Sequence, residues 1–187
     1  MQCTDIRFNE KTVALLQAMV GQCFHKLKHD PFIYAESVYQ NVGLYIGNKT
    51  YLLANELAVM DYYGAMEDVA LLRLESCKED EIKSGLSDTM QIDDIVEAVI
   101  TEIRIVNENQ QLFKNGEQTY DVWLTRGIIF VCGEREIALE KDIWFSEEIA
   151  ISKGYNTIKQ FADPKEFAEN WSDENVAKCA REIITLR

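Results

Sequence analysis

The sequence lacks the short motifs that identify common enzyme classes. It contains no GxGxxG fingerprint, no P-loop, no GxSxG nucleophile elbow and no HExxH zinc motif. Its acidic residues do not have the spacing of an EF-hand calcium loop. No reaction is indicated by sequence, so we expect a non-enzymatic protein without a cofactor.

Disulfide, secretion and membrane signals are also missing. The five cysteines are odd in number, lie far apart and form no CxxC motif, which argues against a disulfide framework and a zinc knuckle. The N-terminus has no basic region followed by an apolar run, so no signal peptide is predicted. No uncharged apolar stretch approaches the roughly 18 residues of a membrane helix. We therefore expect a cytoplasmic protein with reduced thiols.

Basic residues are scarce. The chain has 19 Lys and Arg against 32 Asp and Glu, and its net charge is −13. Such a surface repels phosphate backbones and anionic lipid, so we expect no nucleic-acid binding through ordinary phosphate contacts and no membrane partner. The acidity fits either simple solubility or complementarity to a basic protein.

The sequence does have the pattern of a globular protein with two helices. Because 47% of its 187 residues are hydrophobic, the chain supports a full core, and we expect a single globular domain over 1–187. Helical spacing predicts an N-terminal helix at 10–20, with Asn9 as its N-cap. Asp163 and Pro164 predict a short C-terminal helix at 164–171.

The remaining patterned segments predict antiparallel strands. Asn115-Gly116 is the strongest hairpin signal. Two segments, 95–102 and 176–180, fit helix or strand, and both alternatives stay open. The predicted strands are 23–29, 38–46, 50–59, 69–75, 111–114, 118–124 and 181–186.

The pattern also predicts that one β-unit occurs twice. Gly43 and Gly127 each precede a short apolar run, a polar turn at Gly47 or Gly133, and an apolar return strand. We therefore predict an α+β fold, mainly antiparallel, with two similar β-meander units. The pattern alone does not decide whether they arose by internal duplication or are two unrelated amphipathic meanders. The sub-units are 21–77 and 95–154, joined by an acidic segment at 78–94.

The chain has one local group of metal-ligand side chains. On a strand, Cys23, His25 and His29 share a face, but His25 and His29 are about 10 Å apart and no fourth ligand is near. We predict a solvated strand face and no metal site. Either histidine could meet a distant cysteine such as Cys77 or Cys132, but no local pattern supports this, so no catalytic residue is predicted.

Three carboxylates lie close to tryptophans in the sequence. Asp121, Glu140 and Asp142 neighbour Trp123 and Trp144, and a carboxylate buried beside an aromatic ring can serve in acid–base chemistry. Charged side chains are seldom fully buried. We therefore expect these three to be solvated.

Two aromatic pairs are the most usable functional hint. In a strand, successive side chains face opposite sides, so one member of Tyr62-Tyr63 and of Trp144-Phe145 should pack inside and the other face outward. Tyrosine and tryptophan are enriched at protein interfaces. These four residues are therefore the predicted interface.

Two functions fit these observations. The first is a non-enzymatic cytoplasmic binding or protein-interaction module with an acidic surface, whose partner is a basic protein or a second copy of the chain. The alternative is a small enzyme or ligand-binding β-barrel that uses carboxylates and tyrosines in a cavity between the two β-units.

Overall fold

The computed structural model describes residues 2–86, 91–169, 171 and 174–187. Within them, eleven strands form one mainly antiparallel sheet, accompanied by two α-helices, which confirms the predicted α+β fold. The strands are β1 (Gln2–Ile6), β2 (Cys23–His29), β3 (Ser37–Tyr39), β4 (Asn41–Ile46), β5 (Lys49–Tyr62), β6 (Ala65–Cys77), β7 (Ile92–Lys114), β8 (Glu117–Cys132), β9 (Arg135–Lys141), β10 (Glu148–Gly154) and β11 (Asn175–Leu186). The helices are α1 (Glu10–Met19) and α2 (Pro164–Glu169), and short 3₁₀ turns occur at Glu79–Glu81 and Thr157–Gln160.

Both helices begin where the sequence predicts. The Asn9 side chain accepts a hydrogen bond of 3.0 Å from the Thr12 N–H at the start of α1, which satisfies one of the free donors of the first turn. The Asp163 side chain accepts from the Lys165 N–H at 2.9 Å and begins α2. Neither helix, nor any other in the described ranges, is long and apolar enough to cross a membrane.

The sheet returns on itself around an apolar core. Its strands run in the order β3-β10-β9-β8-β7-β2-β4-β5-β6, with β1 parallel to β8 and β11 beside β7. Only Gln40 separates β3 from β4, and its backbone bonds to both Glu147 and Asn55 at 2.9 Å. The strand that pairs with β10 thus continues into the strand that pairs with β2, and this closes the ring.

The core inside this ring is built from apolar side chains of α1 and most strands. The sheet's alternation directs one face of each strand inward. Its most deeply buried members are Leu16, Met19, Phe24, Leu27, Val38, Val42, Leu44, Leu53, Ile100, Ile103, Ile128, Phe130, Leu139 and Ile149, all 0% exposed.

The long strand β7 connects the two predicted units. Its first part pairs with β2 and its second part lies between β8 and β11. The two segments for which the sequence fits either helix or strand, 95–102 and 176–180, are therefore both strand. The predicted acidic segment 78–94 contains one 3₁₀ turn and the start of β7, while its residues 87–90 lie outside the described part of the chain.

The duplication stays a prediction. The two units are both antiparallel meanders, β2-β4-β5-β6 and β7-β8-β9-β10, and Gly47 and Gly133 both lie in two-residue turns. However, Gly43 lies four residues before its turn and Gly127 six. The glycines therefore do not occupy matching positions when the turns are aligned.

Candidate functional site

The two predicted aromatic pairs meet in one cluster although they are far apart in the sequence. The Tyr62 ring lies 4.6 Å from Tyr63, 5.3 Å from Trp144 and 6.2 Å from Phe145, measured between ring centroids. Edge-on arrangements at such distances are favourable beyond simple burial. The hairpin of β5 and β6 is thereby fixed to the loop between β9 and β10.

The expectation that each pair has one inward and one outward member is wrong for Tyr62-Tyr63. β5 ends at Tyr62, and Tyr63 lies in the turn with a φ of +56°, followed by Gly64 at +97°. Trp144-Phe145 also lies in a turn, so strand alternation governs neither pair. Tyr62 is buried, Tyr63 and Trp144 are partly buried, and Phe145 is 49% exposed.

Three further rings complete the cluster and explain why Tyr63 does not face solvent. Its ring lies 5.3 Å from Tyr120, 5.9 Å from Phe167 on α2 and 5.0 Å from Trp171. The aromatic residues therefore form a second core, which packs α2 and the hairpin tip against β7, β8 and β11. Of the predicted interface residues, Phe145 alone combines a ring in this cluster with an exposed surface.

Polar groups border this second core. The hydroxyls of Tyr62 and Tyr63 donate to the Gln110 side-chain oxygen at 3.2 and 3.4 Å. Burial raises the pKa of both tyrosines above the ordinary value, because a phenolate would lose its hydration there. Both hydroxyls are therefore neutral donors at physiological pH.

Two ion pairs lie beyond Gln110, one buried and one partly buried. Arg126 Nε is 2.8 Å from Glu140, and Arg181 Nη2 is 2.6 Å from Glu108. Burial raises the pKa of Glu140, while Arg126 acts in the opposite direction. The expectation that Glu140 is solvated is wrong, because the neighbouring guanidinium compensates a carboxylate that is only 9% exposed.

Lys141 is buried at the boundary between this layer and β6. Its Nζ donates to the Ala70 carbonyl, and the Ala70 N–H donates to the Trp144 carbonyl at 2.8 Å. Burial and the charge of Arg126 together lower the Lys141 pKa to about 7. The backbone of β6 is thus held at Ala70 by two contacts from the β9–β10 segment.

The cavity at this polar layer is too small for a substrate. Its volume is about 60 Å³, and Glu108, Arg126, Trp144 and Phe167 are among the residues that line it. Sites for small molecules usually occupy roughly 300 Å³ or more. Larger openings, of about 310 to 620 Å³, are open grooves elsewhere on the surface. The alternative of an enzyme cavity between the units stays a prediction. One of these open grooves, of about 620 Å³, lies between the units and is lined by Tyr34, Glu36, Asp142 and Glu148.

The outer end of the β5–β6 hairpin carries apolar side chains that face solvent. Beyond the end of β4, Leu57 is 41% exposed and Val59 67%, and Met66 on β6 is 67% exposed. The register pairs Val59 with Asp68 and Met66 with Asp61, so these side chains share one side of the hairpin. We call this surface the hairpin face, and it consists of Leu57, Val59, Asp61, Met66 and Asp68.

The outer part of the hairpin, residues 50–72, has no basic side chain. Between Lys49 and Arg73 the sequence contains neither lysine, arginine nor histidine. Within the described residues, none of its four carboxylates forms an ion pair. These carboxylates are Glu56, Asp61, Glu67 and Asp68. An apolar surface among unpaired negative charges therefore extends beyond the closed part of the sheet.

The predicted solvated face of β2 contains an arrangement that the sequence does not reveal. A β-bulge at His25 interrupts the alternation, and His29 is instead buried with its Nδ1 2.6 Å from the Asp30 carbonyl. Glu97 on β7 brings its carboxylate to 3.2 Å from His25 Nδ1, beside Cys23. Glu97 is remote in the sequence, and only the pairing of β2 with β7 places it there.

The other cysteines considered as nucleophiles are not activated. Burial raises the pKa of Cys132 to about 11 and also raises that of Cys77. In the described parts of the chain, no histidine forms a hydrogen bond with either thiol. Both are therefore thiols at neutral pH, and a thiolate is the nucleophilic form.

Comparisons of the chain with protein-family models, curated proteins and solved structures found no match. Its function must therefore be inferred from its own residues. Two places among the described residues present groups suited to binding at the surface. They are the hairpin face, with its apolar and acidic side chains, and the group of Cys23, His25 and Glu97.

Proposed function

We propose that the protein is a non-enzymatic cytoplasmic binding module that holds a basic protein through the hairpin face. One observation carries this proposal. The exposed side chains of Leu57, Val59 and Met66 lie among carboxylates on a part of the hairpin, residues 50–72, that contains no basic side chain. Phe145 adds an exposed ring beside the end of β5.

The apolar residues supply the affinity. Complete burial of a side chain such as valine, leucine or methionine contributes about 1.5–3 kcal/mol. On the hairpin these side chains are instead left in water. A partner that covers them gains the share of this energy that belongs to their exposed surface, and no described part of the chain has to be displaced first.

The hairpin is also held in position before binding. The Asn55 side chain donates to the carbonyls of Ser146 and Glu148 at 3.0 Å each, and Lys141 holds Ala70. A fixed surface loses little conformational entropy on association. The hairpin face is therefore suited to binding with a preformed backbone.

The charge selects the partner. A net charge of −13 and the four carboxylates of the outer part of the hairpin attract a surface rich in lysine and arginine. A second copy would bring like charges together, so we propose a different, basic protein. Binding should weaken with added salt, because exposed charges are screened beyond about 10 Å at 0.1 M ionic strength.

Affinity capture from native lysate tests this function. Three immobilised proteins are compared: the wild type, the double variant Val59→Ser/Met66→Ser, and a matched control with Val176→Ser/Ile183→Ser on β11. Val176 and Ile183 are likewise exposed strand residues, at 58% and 44%. We expect basic proteins bound by the wild type and the control to be absent from the hairpin variant.

The captured protein is then purified and added back alone, with folding of each variant checked by circular dichroism. Equal retention by all three proteins would exclude the hairpin face as the binding surface. Retention of acidic proteins only would contradict the charge argument.

A further inference from the structure

Three potential metal-ligand atoms from two strands converge at one point of the sheet. Cys23 Sγ lies 3.7 Å from His25 Nδ1 and 3.8 Å from Glu97 Oε2, and His25 Nδ1 lies 3.2 Å from the same oxygen. In the described part of the chain this is the one group of three or more His, Cys, Asp or Glu side chains with metal-binding spacing.

These separations are those of a tetrahedral metal site. Zinc binds thiolate sulfur at about 2.3 Å and imidazole nitrogen or carboxylate oxygen at about 2.0–2.2 Å, which places ligand atoms about 3.4 to 3.6 Å apart on a tetrahedron. Each observed distance differs from this range by a few tenths of an ångström. Small side-chain rotations would therefore suffice to bind an ion.

The same geometry does not fit a catalytic triad. A triad requires the nucleophile at one imidazole nitrogen and the carboxylate at the other. Here the Cys23 sulfur and the Glu97 carboxylate both approach Nδ1 of His25. Burial and the charge of Glu97 also raise the pKa of Cys23, which is the opposite of an activated thiol.

The backbone is irregular on both strands at this place. His25 forms a bulge on β2, and Glu97 has a φ of +48° on β7, a left-handed conformation that is uncommon for a residue other than glycine. Such irregularities redirect side chains and occur often near functional sites. They bring the two side chains together.

We propose that Cys23, His25 and Glu97 bind a divalent cation of the zinc class, with water as the fourth ligand. Thiolate, imidazole and carboxylate together suit zinc. Thiolate and carboxylate balance the charge of the ion, and the thiol proton is released to solvent. The His25 and Glu97 side chains are 42% and 60% exposed, so an ion can enter and water can complete the coordination.

The site would join β2 to β7 at the seam between the two β-units. An ion that binds only the folded chain adds stability by mass action. Zinc should therefore raise the melting temperature of the wild type.

Titration of the chelator-treated, reduced full chain with Co²⁺ tests the site. We expect one equivalent of cobalt to bind and to give a thiolate-to-metal charge-transfer band with intense visible bands of four-coordinate cobalt. Zn²⁺ should displace it. Glu97→Gln should weaken binding at least tenfold, because it removes a charged ligand, and Cys23→Ser should abolish the charge-transfer band.

Cys3→Ser is the matched control, since Cys3 is an exposed cysteine on β1, and it should bind cobalt like the wild type. Glu97→Gln keeps the exposed position and size of the glutamate, so it tests the site even if Cys23→Ser does not fold. Absence of stoichiometric binding, or unchanged affinity in Glu97→Gln, would overturn the proposal. A charge-transfer band that persists in Cys23→Ser would also overturn it, because another thiol would then be the ligand.

Discussion

The inner and outer halves of β5 differ although the same alternating pattern runs through both. In the inner half Tyr51 and Leu53 are 4% and 0% exposed, because they face the closed core. In the outer half Leu57 and Val59, at the same alternate positions, are 41% and 67% exposed. The sequence thus places apolar side chains on this face in both halves of the strand, and the fold covers only those of the inner half.

Asn55 marks the boundary between the halves. It is fully buried, and its amide binds the carbonyls that precede and begin β10. The β9–β10 segment thereby covers the hairpin up to this point. The described parts of the chain therefore leave the apolar side chains of the outer half uncovered.

The largest effect should come from the inner half. Leu53→Ala creates a cavity in the closed core and should lower the free energy of unfolding by about 2–5 kcal/mol. Urea denaturation measures this loss. A change below about 1 kcal/mol would show that the inner half is not packed as described.

A second effect should appear at Lys141, which holds β6 at the boundary. Its pKa is about 7 in the folded chain against an ordinary 10.5. Between these values the unfolded chain binds the proton and the folded chain does not, so stability relative to Lys141→Met rises with pH, by up to about 1.4 kcal/mol per pH unit. Below pH 7 both states are protonated, and the difference becomes constant.

Thermal or urea unfolding of both proteins at pH 6, 7, 8 and 9 measures this slope. Other titrating groups are common to both proteins and largely cancel in the difference. If the stabilities of the two proteins change with pH in parallel across this range, the pKa of Lys141 is not lowered in the folded chain. At pH 6 the methionine variant should be the more stable protein, because it buries no ammonium.

The smallest effect on stability should come from the outer half. Val59→Ala should change the free energy of unfolding by no more than about 0.5 kcal/mol, because most of the side chain is already in water. Parallel unfolding with Leu53→Ala makes the comparison direct. A loss similar to that of Leu53→Ala would mean that the outer half contributes to the folded core.

Local signals predicted much of the fold. Asn9, Asn115-Gly116 and Asp163-Pro164 act within a few residues, and α1, the β7–β8 hairpin and α2 begin or turn where they indicate. β1 was not predicted, because a short parallel strand depends on β8, far along the chain. The length of β7 was also not predicted, because its first part pairs with β2 and its second part pairs with β8.

The site was predicted less well than the fold. The aromatic pairs do mark the second core, but their orientation depends on turns, such as the left-handed Tyr63, and not on alternation. Glu97 joins Cys23 and His25 through strand pairing alone. No sequence pattern predicts the exposure of Val59, because an apolar residue in a strand gives the same pattern whether or not another part of the protein covers it.

The most direct test of the hairpin face is the affinity of a captured basic protein, measured by calorimetry at low and high salt. The wild type and Val176→Ser/Ile183→Ser should bind equally, and more weakly at high salt. Val59→Ser/Met66→Ser should bind at least tenfold more weakly than either while it unfolds at the same urea concentration. Equal affinity of all three proteins would contradict the account.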